Sequence, residues 1–307
     1  LVINSGAESV GLFGQVSTGG TVRNVGLIQA NVTGSSGAVG SLAGVNDGTI
    51  SDAYTTGNVT DTSNGGGTSN AASSNSGSAV GGLIGVNEGT ISDAYVTGNV
   101  IGSGVSDHGA VGGLVGLNNP AGTISNVYAT GNVSSRNSDG EIGGLVGYNY
   151  YGTISNAYAA GNVNASGTTG TTEAGGLVGY KFYGSISNAY ATGNVTGSGL
   201  SEIGGLVGSN NGPISNAYAT GNVTGSNVAA GGLIGITYDG TIRDVYATGN
   251  MTGNDVAAGG LIGNNYYGTL SNAYFDTSTS GTTASIGRGH MSGGKGLTTV
   301  QWLTEGP

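Results

Sequence analysis

Gly175–Val195 reads GGLVGYKFYGSISNAYATGNV, and the same phrase, lightly edited, stands before it and after it. Its Leu177 is one of nine anchors: Leu12, Leu42, Leu83, Leu114, Leu145, Leu177, Leu206, Leu233 and Leu261, spaced 27 to 41 residues apart. A second block trails each anchor, as in Ile186–Val195 and Ile214–Val223, both ISNAYATGNV. From anchor to repeat Tyr the count varies only from 12 to 14, whereas from that Tyr to the next anchor it runs from 15 to 29. Length changes therefore fall at corners while the blocks between them stay fixed, which is how the coils of a solenoid behave.

Each unit reads as three short strands, Gly-Gly-Leu-Val-Gly, Thr-Ile-Ser-Asn-Ala-Tyr and Gly-Asn-Val-Thr, separated by Gly- and Asn-rich turns. Helix is excluded by the glycines, each costing roughly 1 kcal/mol inside one. The expectation is an all-β parallel β-helix of about nine coils, with three strands and roughly thirty residues per coil. Strands paired about 4.8 Å apart would give a core roughly 40 Å long. Leu177, Ile186, Ala189, Ala191 and Val195 should point inward. Asn58, Asn99, Asn132, Asn162, Asn194, Asn222 and Asn250 form a column at which side-chain amides can bond from coil to coil and left-handed turns are tolerated. A second column runs through Asp52, Asp93, Asn126, Asn156, Asn188, Asn216 and Asp244. Alternation with the inward alanines sets Tyr54, Tyr95, Tyr128, Tyr158, Tyr190, Tyr218, Tyr246 and Tyr274 outward as a stacked ladder.

Composition narrows the function. Of 307 residues 67 are Gly, yet glycine does not recur every third position and there are only 3 Pro, so collagen is excluded. Six Lys and Arg against sixteen Asp and Glu give a net charge of −10, and cations so few and scattered cannot track a phosphate backbone, which argues against nucleic acid. No apolar run is long enough to span a membrane, and no leader pattern precedes Leu1; the chain reads as a monomeric fragment of a longer one.

The pairing of Gly-Gly-Leu-Val-Gly with Ile-Ser-Asn-Ala-Tyr-Ala-Thr-Gly-Asn-Val closely resembles the GLUG motif repeats of large secreted bacterial adhesins of the filamentous-haemagglutinin type and of some surface-anchored immunoglobulin A peptidases. The resemblance covers about residues 10 to 276 and implies an extracellular β-solenoid segment of an exported or surface protein. It brings no catalytic site, and no His-Glu-x-x-His occurs.

Nothing in the residues builds an active site, a metal site or a cofactor site. His108 and His290 lie in Gly- and Ser-rich stretches and read as solvated. The carboxylates show no cluster, and the Asp that would load calcium after Gly-Gly-x-Gly in a β-roll is missing. Most Asn-x-Ser/Thr sequons, for example that at Asn194, are by-products of the Gly-Asn-Val-Thr turn, and glycosylation on them stays open. The exception is the corner after each anchor. There the fifth unit carries Tyr148, Tyr150 and Tyr151, the sixth Tyr180, Phe182 and Tyr183, the eighth Tyr238 and the ninth Tyr266 and Tyr267. Units two and three turn the same corner with Val-Asn-Asp-Gly and Val-Asn-Glu-Gly, so rings are not needed to make it. These nine aromatics should gather on one edge, where exposed rings with hydroxyls suit a host or environmental glycan or a surface protein.

The reading is thus a non-enzymatic adhesive or stalk segment, secreted or on the cell surface. Two rivals remain: an ice- or surface-binding solenoid, on the single column Thr97, Thr130, Thr192, Thr220 and Thr248, and a glycan-active β-helix enzyme, which would need clustered acids and bases on one face. Residues 60–79 read as a flexible insert in a solenoid spanning 1–276. Residues 277–307 read as a terminal cap with Trp302 plugging the last coil.

Overall fold

A computed structural model of the chain describes every residue except 36, 63–77, 103–108, 137–139, 167–170, 227–228, 255–256, 291–292 and 306–307. Most of the 60–79 insert, and His108, therefore lie outside the described residues; Thr60 and Asp61 end one strand and Ala79 begins the next. The architecture is the expected parallel solenoid. Strands of successive coils pair in register, so that Ile154, Ile186 and Ile214 stack on one another, as do Tyr158, Tyr190 and Tyr218.

Each coil, however, carries four strands rather than three. In the sixth they are Val163–Ala165, Thr171–Gly175, Val178–Phe182 and Ser185–Ala191, and their equivalents assemble into two nine-stranded and two ten-stranded sheets. We number the sheets one to four in that chain order. The first Gly of Gly-Gly-Leu ends the strand of sheet two, and the second Gly with the Leu, Gly176 and Leu177 in coil six, is the bend between sheets two and three. This bend is buried, with the Leu177 N–H donating to the Leu206 carbonyl of the next coil at 2.9 Å, so it carries none of the polar residues that advertise a turn. Two strands flanking an apolar bend read as one.

The core follows from the anchors. Leu42, Leu83, Leu114, Leu145, Leu177, Leu206, Leu233 and Leu261 are all fully buried in one cluster with the Ile and Ala of sheet four. A second cluster of Val from sheets one and two, including Val133, Val163 and Val195, lies beside it. Close stacking explains one glycine column: a Cβ on Gly193 would collide with the Gly161 carbonyl of the preceding coil, and Gly221 stands likewise against Gly193.

The two anticipated Asn columns exist with their roles exchanged. Left-handed backbone belongs to the second column, with φ of 51° at Asp52, 55° at Asn126, 50° at Asn156 and 51° at Asn188. There the side-chain amides bond to each other, Asn156 Nδ2 to Asn126 Oδ1 and Asn188 Nδ2 to Asn156 Oδ1, both at 3.1 Å. The positive φ also breaks the alternation: Ser187 and Asn188 both avoid the core before Ala189 returns to it. In the Asn194 column the side-chain oxygen instead accepts a backbone N–H of the next coil, as from Asn222 N to Asn194 Oδ1 at 2.9 Å. Seven of the eight expected tyrosines form the ladder, with ring centroids 4.7–4.9 Å apart from Tyr54 through Tyr246, whereas Tyr274 meets Trp302 edge-on instead.

Beyond Asp276 the chain adds one strand to sheet three (Ile286–Gly289) and one to sheet four (Gly294–Leu297), then a helix, Thr299–Glu305. Trp302 does not plug the end. Its ring packs edge-on against Tyr246 and Tyr274 on the outer flank, at 5.4 and 6.1 Å. The core is closed by Phe275, fully buried where the preceding coil has Ala247, its ring lying over Gly260.

Candidate functional site

The corner between sheets three and four begins from a buried polar ladder. Asn46 Nδ2 donates to Asn87 Oδ1 at 2.8 Å, Asn87 to Asn118 at 2.8 Å and Asn118 to Asn149 at 2.7 Å, all fully buried. Each amide also holds the turn that follows, as Asn149 Nδ2 does by donating to the Gly152 carbonyl at 2.8 Å. In coil six the ladder position is Lys181, in register with Asn149 and Asn210. Lys181 is fully buried, and its Nζ has no hydrogen-bond partner. Burial alone pulls its ammonium down to about 7.

The turn length past this ladder decides whether rings appear. Coils two, three and seven put one residue (Asp47, Glu88, Asn211) between the ladder side chain and the turn glycine; coils five, six, eight and nine put two, and at least one is aromatic. Tyr151 and Tyr183 occupy the second position with φ of 59° and 53°, a left-handed conformation in which a bulky side chain is strained. Stacking holds them: their centroids lie 5.0 Å apart, and each ring meets Phe182 edge-on, at 5.6 and 4.8 Å. Tyr148 stacks on Tyr180 at 5.1 Å and Tyr150 on Phe182 at 5.6 Å. Six of the nine aromatics, Tyr148, Tyr150, Tyr151, Tyr180, Phe182 and Tyr183, thus form one cluster. Tyr238 and Tyr266 stack at 5.3 Å as a separate pair, Tyr267 has no ring partner among the described residues, and coil seven, ringless, divides the two groups. The edge is real but broken, and Tyr148 and Tyr180 are half-buried rather than exposed.

Under those two rings runs a column the sequence reading missed. Glu141, Glu173 and Glu202 of sheet two are in register in coils five, six and seven. The carboxylates do cluster, then, contrary to expectation. In coils two to four the same places hold Ala38, Ala79 and Ala110, packed against Val45, Val86 and Leu117 of sheet three. Burial, opposed by hydrogen bonds from Ser209 and Tyr238, pushes the Glu202 carboxyl up, and the Tyr238 hydroxyl donates to Glu202 Oε1 at 3.4 Å. Burial first, then the Glu202 charge, raise Tyr238 to about 12; Tyr148 and Tyr180 are pushed up for the same reason, with neighbouring glutamates adding to it. Lys181 gives this column no counter-charge, since it points to the opposite side of its strand from Tyr180 and Phe182. The signal was available: each of the three Glu stands two residues before its Gly-Gly.

Among the cavities that open on the surface are three of about 410, 440 and 460 Å³. The first lies beside Tyr246 and Tyr274, the second beside Tyr266 and Tyr267, and the third between Ile101, Arg136 and Asn164; none is lined by the glutamates. Among the described residues no cluster of His, Asp and Glu is arranged to hold a metal ion, and no helix is long and apolar enough to cross a membrane.

Fold and corner together define a repeat-built parallel β-solenoid whose coils share one interior and differ in their outward decoration. The chain belongs to the GLUG motif family, which matches residues 76–101, 107–134, 138–164, 170–196, 199–224 and 226–252, just over half of its length. It is also similar to halomucin from Haloquadratum walsbyi, with 48% identity over 63 residues, a stretch covering 20% of this chain and 1% of halomucin. No solved structure matches it.

Proposed function

We propose that the chain is a non-enzymatic repeat segment of an exported surface protein, serving as a stalk and presenting the aromatic corner of coils five and six to a glycan or protein partner. One observation carries the binding role. Tyr151 and Tyr183 are 44% and 42% exposed, although their left-handed backbone is one that Asp, Glu or Asn corners elsewhere in the chain avoid needing. Strained backbone displaying apolar surface is the usual mark of a binding site. The stalk role is supported by the membership in a repeat family and by the continuous, register-locked sheets. The non-enzymatic reading is supported by the burial of Glu141 and Glu202 and the half-burial of Glu173 beneath the rings; none of the three lines the cavities described above.

The test is a double variant, Tyr151→Ser with Tyr183→Ser, applied to a glycan array and to cell-surface binding. Loss of binding with a melting temperature shifted by no more than about 4 °C is expected, since changes at exposed side chains cost little. Undiminished binding, or a collapse of stability, would assign both rings to structure.

A further inference from the structure

The corner of coil nine differs from those before it because it meets an exposed cation. Ile286–Gly289 joins sheet three beside Ile262–Asn265, placing Arg288 opposite Asn264. The following turn is fixed by two bonds: His290 N donates to the Asn265 carbonyl at 2.7 Å, and Asn265 Nδ2 donates to the His290 carbonyl at 2.9 Å. Gly289 between them has φ of 96°, and a Cβ there would collide with the Asn265 carbonyl, so only glycine makes the turn. The result is a cavity of about 440 Å³ whose lining includes Asn264, Tyr266, Tyr267, Arg288 and His290, with no carboxylate among its described walls.

Charge and ring placement agree on what fits. Arg288 is exposed and has no ion-pair partner among the described residues. Two of the six Lys and Arg of the chain, Arg288 and Lys295, fall after Asp276, where Glu305 is the sole acid, so this segment of a molecule of net charge −10 is itself net positive. Tyr266 uses one face on Tyr238 and is 46% exposed, and Tyr267 is 76% exposed. A guanidinium offers a planar pair of donors matched to a carboxylate, and free ring surface suits the C–H face of a pyranose.

We propose that this cavity binds a carboxylated sugar, a uronic or sialic acid residue. Arg288 takes the carboxylate through two N–H donors, Asn264 and His290 meet hydroxyls, and Tyr266 and Tyr267 cover the sugar ring. The proposal deepens the reading above by naming a ligand class for coil nine, and it rests on that reading only in expecting glycans at the aromatic corner.

Titration calorimetry on the 307-residue chain tests it with two pairs: tetragalacturonate against its methyl ester, and 3′-sialyllactose against lactose. At least one acid should bind about tenfold or more tightly than its neutral counterpart, and weaken in high salt. Arg288→Gln should remove that advantage, a loss of about tenfold or more, with the melting temperature unchanged because the side chain is exposed. Lys295→Gln, a cation outside the cavity wall, should leave it intact, which separates the guanidinium of Arg288 from the general charge of the segment. Equal affinity within both pairs, no binding up to about 10 mM, or unaltered acid binding by Arg288→Gln would each overturn the assignment.

Discussion

Coils two to four and coils five to seven share a backbone and part company in the side chains that decorate it. The earlier coils pair Ala38, Ala79 and Ala110 with Val45, Val86 and Leu117 in a small apolar cluster of their own, and an unbroken amide ladder runs beside it, Asn46 to Asn118. The later ones set Glu141 and Glu173 under Tyr148 and Tyr180 and Glu202 beside Ser209, within reach of Tyr238 of coil eight, and replace a ladder amide with Lys181. The interior leucines are indifferent to the change. Coil stacking is therefore maintained by few positions, and the remainder are free to carry costly groups where a surface is wanted.

The largest effect expected on that comparison is at a position both regions share. Leu177→Asp would bury a charge with no partner in the continuous core, costing upwards of about 4 kcal/mol and cutting cooperative unfolding at coil six. Two-step melting with new protease cleavage beside that coil is the expected result; a normal single transition would show that the stack tolerates a broken rung.

Lys181→Asn converts the later region to the earlier pattern and should stabilise by about 2–4 kcal/mol at neutral pH. The sign of its pH dependence is fixed. Burial lowers the folded amine from 10.5 to about 7, so between those values the unfolded chain binds more protons and the native protein gains stability as pH rises. The benefit of the substitution is thus complete at pH 7 and below, and shrinks as pH climbs toward 10. Chemical denaturation of both proteins from pH 6 to 10 checks this, and a pH-independent difference would mean that the amine is charged and paired.

Asn118→Ala breaks the ladder where it is intact. Asn87 loses an acceptor and Asn149 a donor, both buried, for about 2–3 kcal/mol in urea unfolding. The exposed ladder should behave differently. Asn156→Gly keeps the left-handed backbone and removes solvated amide bonds only, so a change within about 0.5 kcal/mol is expected. Equal costs at the two positions would erase the distinction between inner and outer ladders.

These contrasts mark how far the sequence could be read. The anchor leucines and the tyrosine ladder were legible because apolar and aromatic residues at a fixed period have one cheap arrangement, stacked on their own kind. The fourth strand was hidden because the bend at Gly-Gly-Leu is dry. The inner ladder was spelled out four residues after each anchor from Leu42 onward, but an Asn or Thr beside a turn reads as part of the turn, and Lys181 broke the pattern. Glu141, Glu173 and Glu202 sat among glycines and small residues, where a carboxylate is expected to be in water; only folding sets them beneath the tyrosines. His290, taken for a solvated loop residue, is exposed, yet it and Arg288 share a cavity wall that a strand outside the repeat supplies.

The ladder of Asn46, Asn87, Asn118 and Asn149 gives the molecule a property beyond stability. Every interior member donates on one side and accepts on the other, and the glycine column lets its neighbour come to contact. A duplicated coil spliced among them would find both bonds waiting, and a deleted one would leave its neighbours complementary. Reach then becomes a whole number that gene duplication can edit, about 4.8 Å at a time, without renegotiating any side chain.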